Sequence, residues 1–327
     1  MKVLTIGIAA AAALLFTGVG GAGSPLQIGV ALNGLDNPYF VAMYEGIKAE
    51  ATRRGVKQSY RAPQSHSDVA GQTAEVRELV KSNKDCYAIS PLGPTHLVGA
   101  LKGVRRPVVF LDSSLDRAAA RTMGLRIATA IGSSDFGAGK QAGKEMVALL
   151  HGTGQVAWLG GFAGSTNSAL RLAGFKRATR GTNVRVVVRA NANYVRNKAE
   201  VEAAEMLSSN PELDGFFAAN DLMALGASDA VSAAGRTGEV AIVGLDGIAE
   251  ALDAIRGGRM SATVSQYPYV MGKMAVEACL AASRGAALPG RVNAPTAVIT
   301  KANVARASAL FPRPFRAYDD PFARLLR

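Results

Sequence analysis

From residue 26 onward, short apolar runs alternate with longer amphipathic stretches, the pattern of parallel strands connected by helices. Residues 27–32 predict a first strand. Phe40, Met43, Tyr44, Ile47 and Ala51 then recur at helical spacing until Gly55 ends the helix. A second amphipathic segment carries Val69, Thr73, Val76, Leu79 and Val80 and leads into a buried-strand candidate at 86–90, closed by Pro91. Strands follow at 107–111, ending at Asp112, and at 129–132, ending at Ser133 and Ser134. The rhythm then restarts, with strands at 155–159, 184–189, 215–219 and 240–244 and helices at 167–180, 198–208, 222–234 and 248–256. A strand at 262–266, a helix at 271–282 and a strand at 297–300 complete the regular part. This count predicts an α/β protein of two similar doubly wound parallel-sheet lobes, with the boundary near 132–134, in preference to one overlong sheet.

The two ends of the chain read differently. Lys2 precedes an apolar run, 3–16, that is too short to span a bilayer, and small residues follow it with Gly20 and Ala22 ahead of Gly23. A signal peptide over 1–23, cleaved near Ala22, is therefore expected, which makes the mature chain an exported, periplasmic protein. At the other end, 306–327 holds Pro312, Pro314, Pro321 and five arginines, and is expected to be a basic surface extension, partly disordered. The formal charge of +12 is spread thinly from Lys48 to Arg327 without interleaved aromatic residues. It is read as solvated surface, and no nucleic-acid partner is expected.

The inventory of reactive residues argues against an enzyme. His66, His96 and His151 lie in or beside loops with no cysteine or carboxylate at metal-ligand spacing, so each is expected in solvent, and no metal or cofactor is expected. There is no Gly-x-Ser-x-Gly elbow, and Gly139-Lys140, Gly143-Lys144 and Gly272-Lys273 all lack the Ser or Thr of a phosphate loop. Gly18, Gly20 and Gly23 match a dinucleotide fingerprint, but they sit in the signal region and lead into Ser24-Pro25 instead of a helix. Cys86 and Cys279 fall inside apolar segments and are expected as buried free thiols, although export leaves a bridge chemically open.

Open α/β sheets bind ligands at the carboxyl ends of their strands. The residues there form a coherent set: Asn37, Tyr39 and Phe40 after the first strand, Ser90, Asp112 and Ser134 after later ones, then Arg171, Tyr194, Asn220 with Asp221, Asp246 and Gln266 in the second half. A sugar presents hydroxyls that both donate and accept, which suits carboxylates, amides and a guanidinium. Its C–H faces pack on flat rings, which Tyr39, Phe40 and Tyr194 supply. Taken singly, Asn37 and Asn220 are equally good helix caps, Phe40 is also a core residue and Asp246 is also a turn residue. The inference rests on the set, and it points to a neutral polyhydroxylated ligand.

The motifs LDNPYFVAMYEGIKAEA, IGSSDFGAGKQAG, AGSTNSALRLAGF, FAANDLMALGA, VGLDGIAEA and SATVSQYP occur in this order over 26–300. Together they resemble the periplasmic ribose-, allose- and related sugar-binding proteins of ABC importers. The resemblance implies a type I periplasmic binding protein: a first lobe over 24–132 and 267–293, a second over 133–266 and 294–305, and a three-stranded hinge. It implies sugar contacts at the strand-end residues above. Ser113 follows Asp112 where ribose-type members carry Arg, and Ser90 stands where they carry Asn. Loss of the guanidinium puts ribose in doubt and leaves another pentose, a hexose such as allose, or a linear polyol. RAPQSHSDVAG and SPLGPTHLVGAL are more similar to allose-type members. The implied partners are the sugar and an ABC permease in the inner membrane, with the chain a monomer. A chemotaxis or sensor protein is a compatible receiver, and a lactose-repressor-type regulator core shares the fold, though no DNA-reading helix-turn-helix is expected ahead of the first strand.

Overall fold

The computed structural model of the protein describes residues 24–326, so the expected signal segment lies outside the described residues. The first half alternates β1 (Gln27–Ala31), α1 (Pro38–Arg54), β2 (Lys57–Arg61), α2 (Val69–Lys81), β3 (Cys86–Ile89), β4 (Val108–Leu111), α3 (Arg117–Thr122) and β5 (Ile127–Gly132). The second continues with α4 (Asp135–Leu149), β6 (Thr153–Gly160), α5 (Thr166–Thr179), β7 (Asn183–Asn191), α6 (Arg196–Ser209), β8 (Leu213–Ala218), α7 (Asp221–Ala233), β9 (Ala241–Asp246), α8 (Ala249–Arg256) and β10 (Ala262–Ser265). The chain then runs through α9 (Pro268–Ser283), β11 (Arg291–Asn293), β12 (Ala297–Thr300), α10 (Val304–Leu310) and α11 (Pro321–Leu325).

Two six-stranded sheets result among the described residues, ordered β2-β1-β3-β4-β5-β11 and β7-β6-β8-β9-β10-β12. The order is the same in both. Neighbours pair in parallel except β12, which runs antiparallel to β10. Winding reverses between β1 and β3 and again between β6 and β8, and crevices open beyond the carboxyl ends at such points. The chain passes from one sheet to the other at 132–135, 265–268 and 293–297.

Local chemistry explains both the predicted elements and the missed ones. Asn37 accepts the Tyr39 N–H at 3.0 Å, Pro38 opens α1, and Gly55, at φ 66°, ends it in the left-handed region that favours glycine. The edge strand β2 reads Lys-Gln-Ser-Tyr-Arg, is half-exposed, and shows no apolar alternation by which pattern could detect it. Helix α9 returns to pack on α1, where a Cβ on Gly46 would run into the Tyr269 carbonyl and one on Gly272 into that of Met43.

This return corrects the expectation for the cysteines. Cys86 and Cys279, 193 residues apart in sequence, are joined by a disulfide with their Cα atoms 5.7 Å apart. Each sits in an apolar element, but α9 lies over β3, a juxtaposition that no local pattern encodes. The tail also departs from expectation. Helix α10 packs on α8, α11 packs on α9, Phe315 and Phe322 are buried, and Asp320 pairs with Lys273 at 2.6 Å. Phe315 and Phe322 are apolar anchors set among prolines and arginines, where composition alone suggested a loose segment.

Candidate ligand site

The carboxyl ends of the two sheets face one cavity. From the first lobe it is lined by Asn37, Tyr39, Phe40, Asp112 and Ser113, and from the second by Arg171, Tyr194, Asn220 and Asp246, with Gln266 from a crossing segment. The two sides touch: the Ser113 hydroxyl donates to Asn167 Oδ1 at 3.4 Å. Asp112, Tyr194 and Asp246 have φ of 59°, 63° and 140°. Such conformations cost side-chain-bearing residues energy and collect at functional sites.

Each polar group is held by part of itself. Tyr39 donates its hydroxyl to Asp112 Oδ1 at 2.8 Å, and Gln266 donates Nε2 to Asp246 Oδ1 at 2.8 Å. Arg171 donates Nε to Asp135 Oδ1 at 2.7 Å and Nη1 to the Ala219 carbonyl at 2.6 Å. Asn37 and Asn220 use their amide oxygens as helix caps. The Asn37 and Asn220 amino groups, Arg171 Nη2 and Asp246 Oδ2 take no hydrogen bond among the described residues. Three donors and a carboxylate oxygen are therefore left for a guest. The capping and binding readings of the two asparagines are thus compatible, since one end of each amide serves each purpose.

Aromatic edges frame this polar set. Tyr39 and Phe40 meet edge to face at 5.1 Å, and so do Phe162 and Tyr194 at 4.9 Å, with the Tyr194 hydroxyl 2.7 Å from Ser165 Oγ. Burial pushes the Asp112 carboxyl up, with Asp135 adding repulsion, and pushes that of Asp246 well above the ordinary range despite nearby Arg171. The Tyr39 phenol is raised by burial and then by Asp112. Burial works against the Arg171 charge, but Asp135, Tyr194, Asp246 and Asp112 outweigh it and hold the guanidinium above its usual value. Arg171 is already paired with Asp135, so Asp112 and Asp246 set the character of the cavity. Its free groups can both donate to and accept from the hydroxyls of a guest.

Two residues expected at the site lie elsewhere. Ser90 is wholly buried; its carbonyl accepts from Gln72 and its hydroxyl does not line the cavity. Ser134 caps α4, accepting the Gly137 N–H at 3.1 Å, and lines an adjoining opening instead. A strand-end position was insufficient in both cases, because the side chain was taken up by packing or by a cap. Pattern missed Asn33, Pro91, Leu92, Phe162, Ser165, Asn167 and His66, all of which line the cavity. Phe162 was findable, since it follows the end of β6. His66, expected in solvent, is instead 8% exposed because it bonds Asp36 across the loops. Asp221, read with Asn220 at a strand end, also does not line the cavity. It accepts from the backbone N–H groups of Gly247 and Ile248 at 2.7 and 3.0 Å and from the Thr263 hydroxyl at 2.6 Å, pinning the turn that carries Asp246. Burial pushes its carboxyl up to about 6.

Two doubly wound lobes whose strand ends enclose a polar, ring-framed cavity define a two-lobed solute-binding protein. The comparisons with known proteins agree: the periplasmic binding protein domain matches residues 28–287, and the chain belongs to that family. The ribose import binding protein of Bacillus subtilis is 29% identical over 277 residues, covering 84% of this chain and 87% of its own. The D-allose-binding periplasmic protein of Escherichia coli is 32% identical over 256 residues, covering 75% and 81%. A solute-binding protein of an ABC transporter from Actinobacillus succinogenes, solved with bound D-allose, superposes with a TM-score of 0.81 at 26% identity, covering 86% of this chain and 99% of that one.

Proposed function

We propose that this chain captures a neutral sugar or polyol between its lobes, outside the cytoplasm, and delivers it unaltered to an ABC permease in the inner membrane. One observation carries the reading: Asp112 from the first lobe and Asp246 from the second line a single cavity with Arg171, and hydrogen-bonding capacity is left over. No group of three His, Cys, Asp or Glu among the described residues is placed to hold a metal ion. The side chains at the cavity are suited to holding hydroxyls.

Closure follows from linkage. A solute that touches both lobes makes more contacts when they are shut, so it shifts the open–closed equilibrium by its differential affinity. The permease then reads the closed form. The relatives named for ribose and D-allose support a monosaccharide-sized cargo, and Ser113 in place of the ribose-type Arg favours a hexose or a linear polyol over ribose.

A thermal-shift screen followed by calorimetry with D-ribose, D-allose, D-glucose, xylitol and myo-inositol tests this, because a ligand that binds only the folded form raises the melting temperature. At least one member of the panel is expected to bind with one-to-one stoichiometry. Binding of none, alongside tight binding of an amino acid or an anion, contradicts the proposal.

A further inference from the structure

One ring in the cavity is tethered on one side and unsatisfied on the other. His66 Nδ1 lies 2.7 Å from Asp36 Oδ2, and the backbone N–H of His66 donates to Asp36 Oδ1 at 2.9 Å, so the carboxylate holds the residue at two points. The close approach needs Gly34, where a Cβ would lie 2.6 Å from the His66 nitrogen. The ring lines the cavity with Asn33, Asn37 and Leu92. Its Nε2 is buried and has no hydrogen-bond partner among the described residues. A buried polar atom without a partner is destabilising. With Nδ1–H donated to Asp36, the neutral ring presents a lone pair at Nε2.

The surrounding wall is also built from polar contacts. Gln72, wholly buried on α2, donates Nε2 to Asn33 Oδ1 at 2.8 Å and to the Ser90 carbonyl at 2.9 Å. Its Oε1 accepts the Leu92 N–H at 2.9 Å and lies 2.7 Å from His96 Nε2. The loops bearing Asn33 and Leu92 are thereby tied to one helix, which holds this end of the cavity in shape around the imidazole.

We propose that His66 is a ligand-contacting, specificity-determining residue at the first-lobe end of the cavity, its Nε2 accepting a hydrogen bond from a hydroxyl of the bound sugar or polyol. Asp36 is its positioning residue, selecting the tautomer that accepts. The inference rests on the sugar reading above and adds to it a directional requirement: the occupant carries a hydroxyl that donates toward the 65–66 loop.

Calorimetry on the mature chain tests it with D-ribose, D-allose, D-glucose, xylitol and myo-inositol, and with the monodeoxy analogues of whichever binds tightest. His66→Phe keeps a ring and removes the acceptor; it is expected to weaken the tightest binder about tenfold. The loss should vanish for the one deoxy analogue that lacks the contacted hydroxyl. His66→Gln, which retains an acceptor, is expected to recover part of the affinity and guards against a folding defect in the phenylalanine variant. Asp36→Asn, which can donate to Nδ1 and turn Nε2 into a donor, is expected to alter the ranking of the deoxy series and not only the affinity. Sugar binding left unchanged by His66→Phe, or an equal loss across every analogue, overturns this inference and leaves the sugar reading standing. Failure of the whole panel to bind the unsubstituted chain overturns both.

Discussion

In the first lobe, α9 is bonded to β3 through Cys86 and Cys279 and is overlaid by α11 of the C-terminal tail. In the second lobe no disulfide braces the core, where Phe175 stacks on Phe217 at 4.7 Å and Trp158 lies against the same ring at 4.8 Å. The contributions to the cavity differ in a complementary way. The first lobe brings Tyr39, Phe40, the caps and Asp112. The second brings the guanidinium of Arg171, its buried partner Asp135, and Asp246 on a turn pinned by Asp221. Two copies of one strand order have thus diverged: the first lobe carries the covalent brace, and the second brings the buried guanidinium to the cavity. The bracing is expected to set stability, and the buried charge to set affinity.

The sharpest test of that division is Arg171→Ala. It removes a charged hydrogen-bond donor from the cavity, worth about 1.5–3 kcal/mol in binding. Calorimetry should show sugar affinity falling at least about tenfold, while circular dichroism still shows a folded chain. A loss below tenfold would mean that the second lobe does not dominate affinity.

Reducing the disulfide, or replacing both cysteines by serine, is expected to remove about 2–4 kcal/mol of stability, because 193 residues of sequence separate the bridged positions. The urea midpoint should fall, and sugar affinity at 25 °C should change little. Equal losses of stability and affinity would erase the contrast between the lobes.

The smallest expected effect concerns pH. Asp112 and Asp246 are pushed above the ordinary carboxylate range chiefly by burial, which the shut cleft imposes. Opening returns them to water and to values near 4. The shut, empty form therefore holds more protons. Its advantage is full below about pH 4 and is lost as pH rises through the raised values. X-ray scattering of the sugar-free protein should show a radius of gyration that grows from acid to neutral pH. A radius independent of pH would remove these carboxylates from the closing equilibrium.

Much of this was legible in the chain because parallel sheets bury their strands as apolar runs. Strands β3, β4, β8, β9 and β10 all lay within two residues of their predicted positions, and the strand-end rule picked out Asp112, Asn220 and Asp246, which line the cavity, whereas Arg171 reaches it from within α5. Segments whose order comes from distant contacts were not legible. Strand β2 is polar at a sheet edge, and α10 and α11 are short helices that depend on α8 and α9 for burial. The disulfide depends on α9 recrossing to the first sheet. His66 and Asp36 are 30 residues apart, and nothing in either loop alone marks the contact. Strand-end position also overreached: Ser90 and Ser134 satisfied it, yet their side chains serve the core and a helix cap.

The central claim is that side chains from both lobes hold one neutral solute at the same time. It is tested most directly by a crystal structure of the mature chain with the tightest-binding sugar of the panel. The account predicts ring or chain hydroxyls bonded simultaneously to Asp112 of the first lobe and to Asp246 and Arg171 of the second, inside the cavity between them. A sugar bound to one lobe alone, or outside this cavity while the cleft is closed, would contradict it.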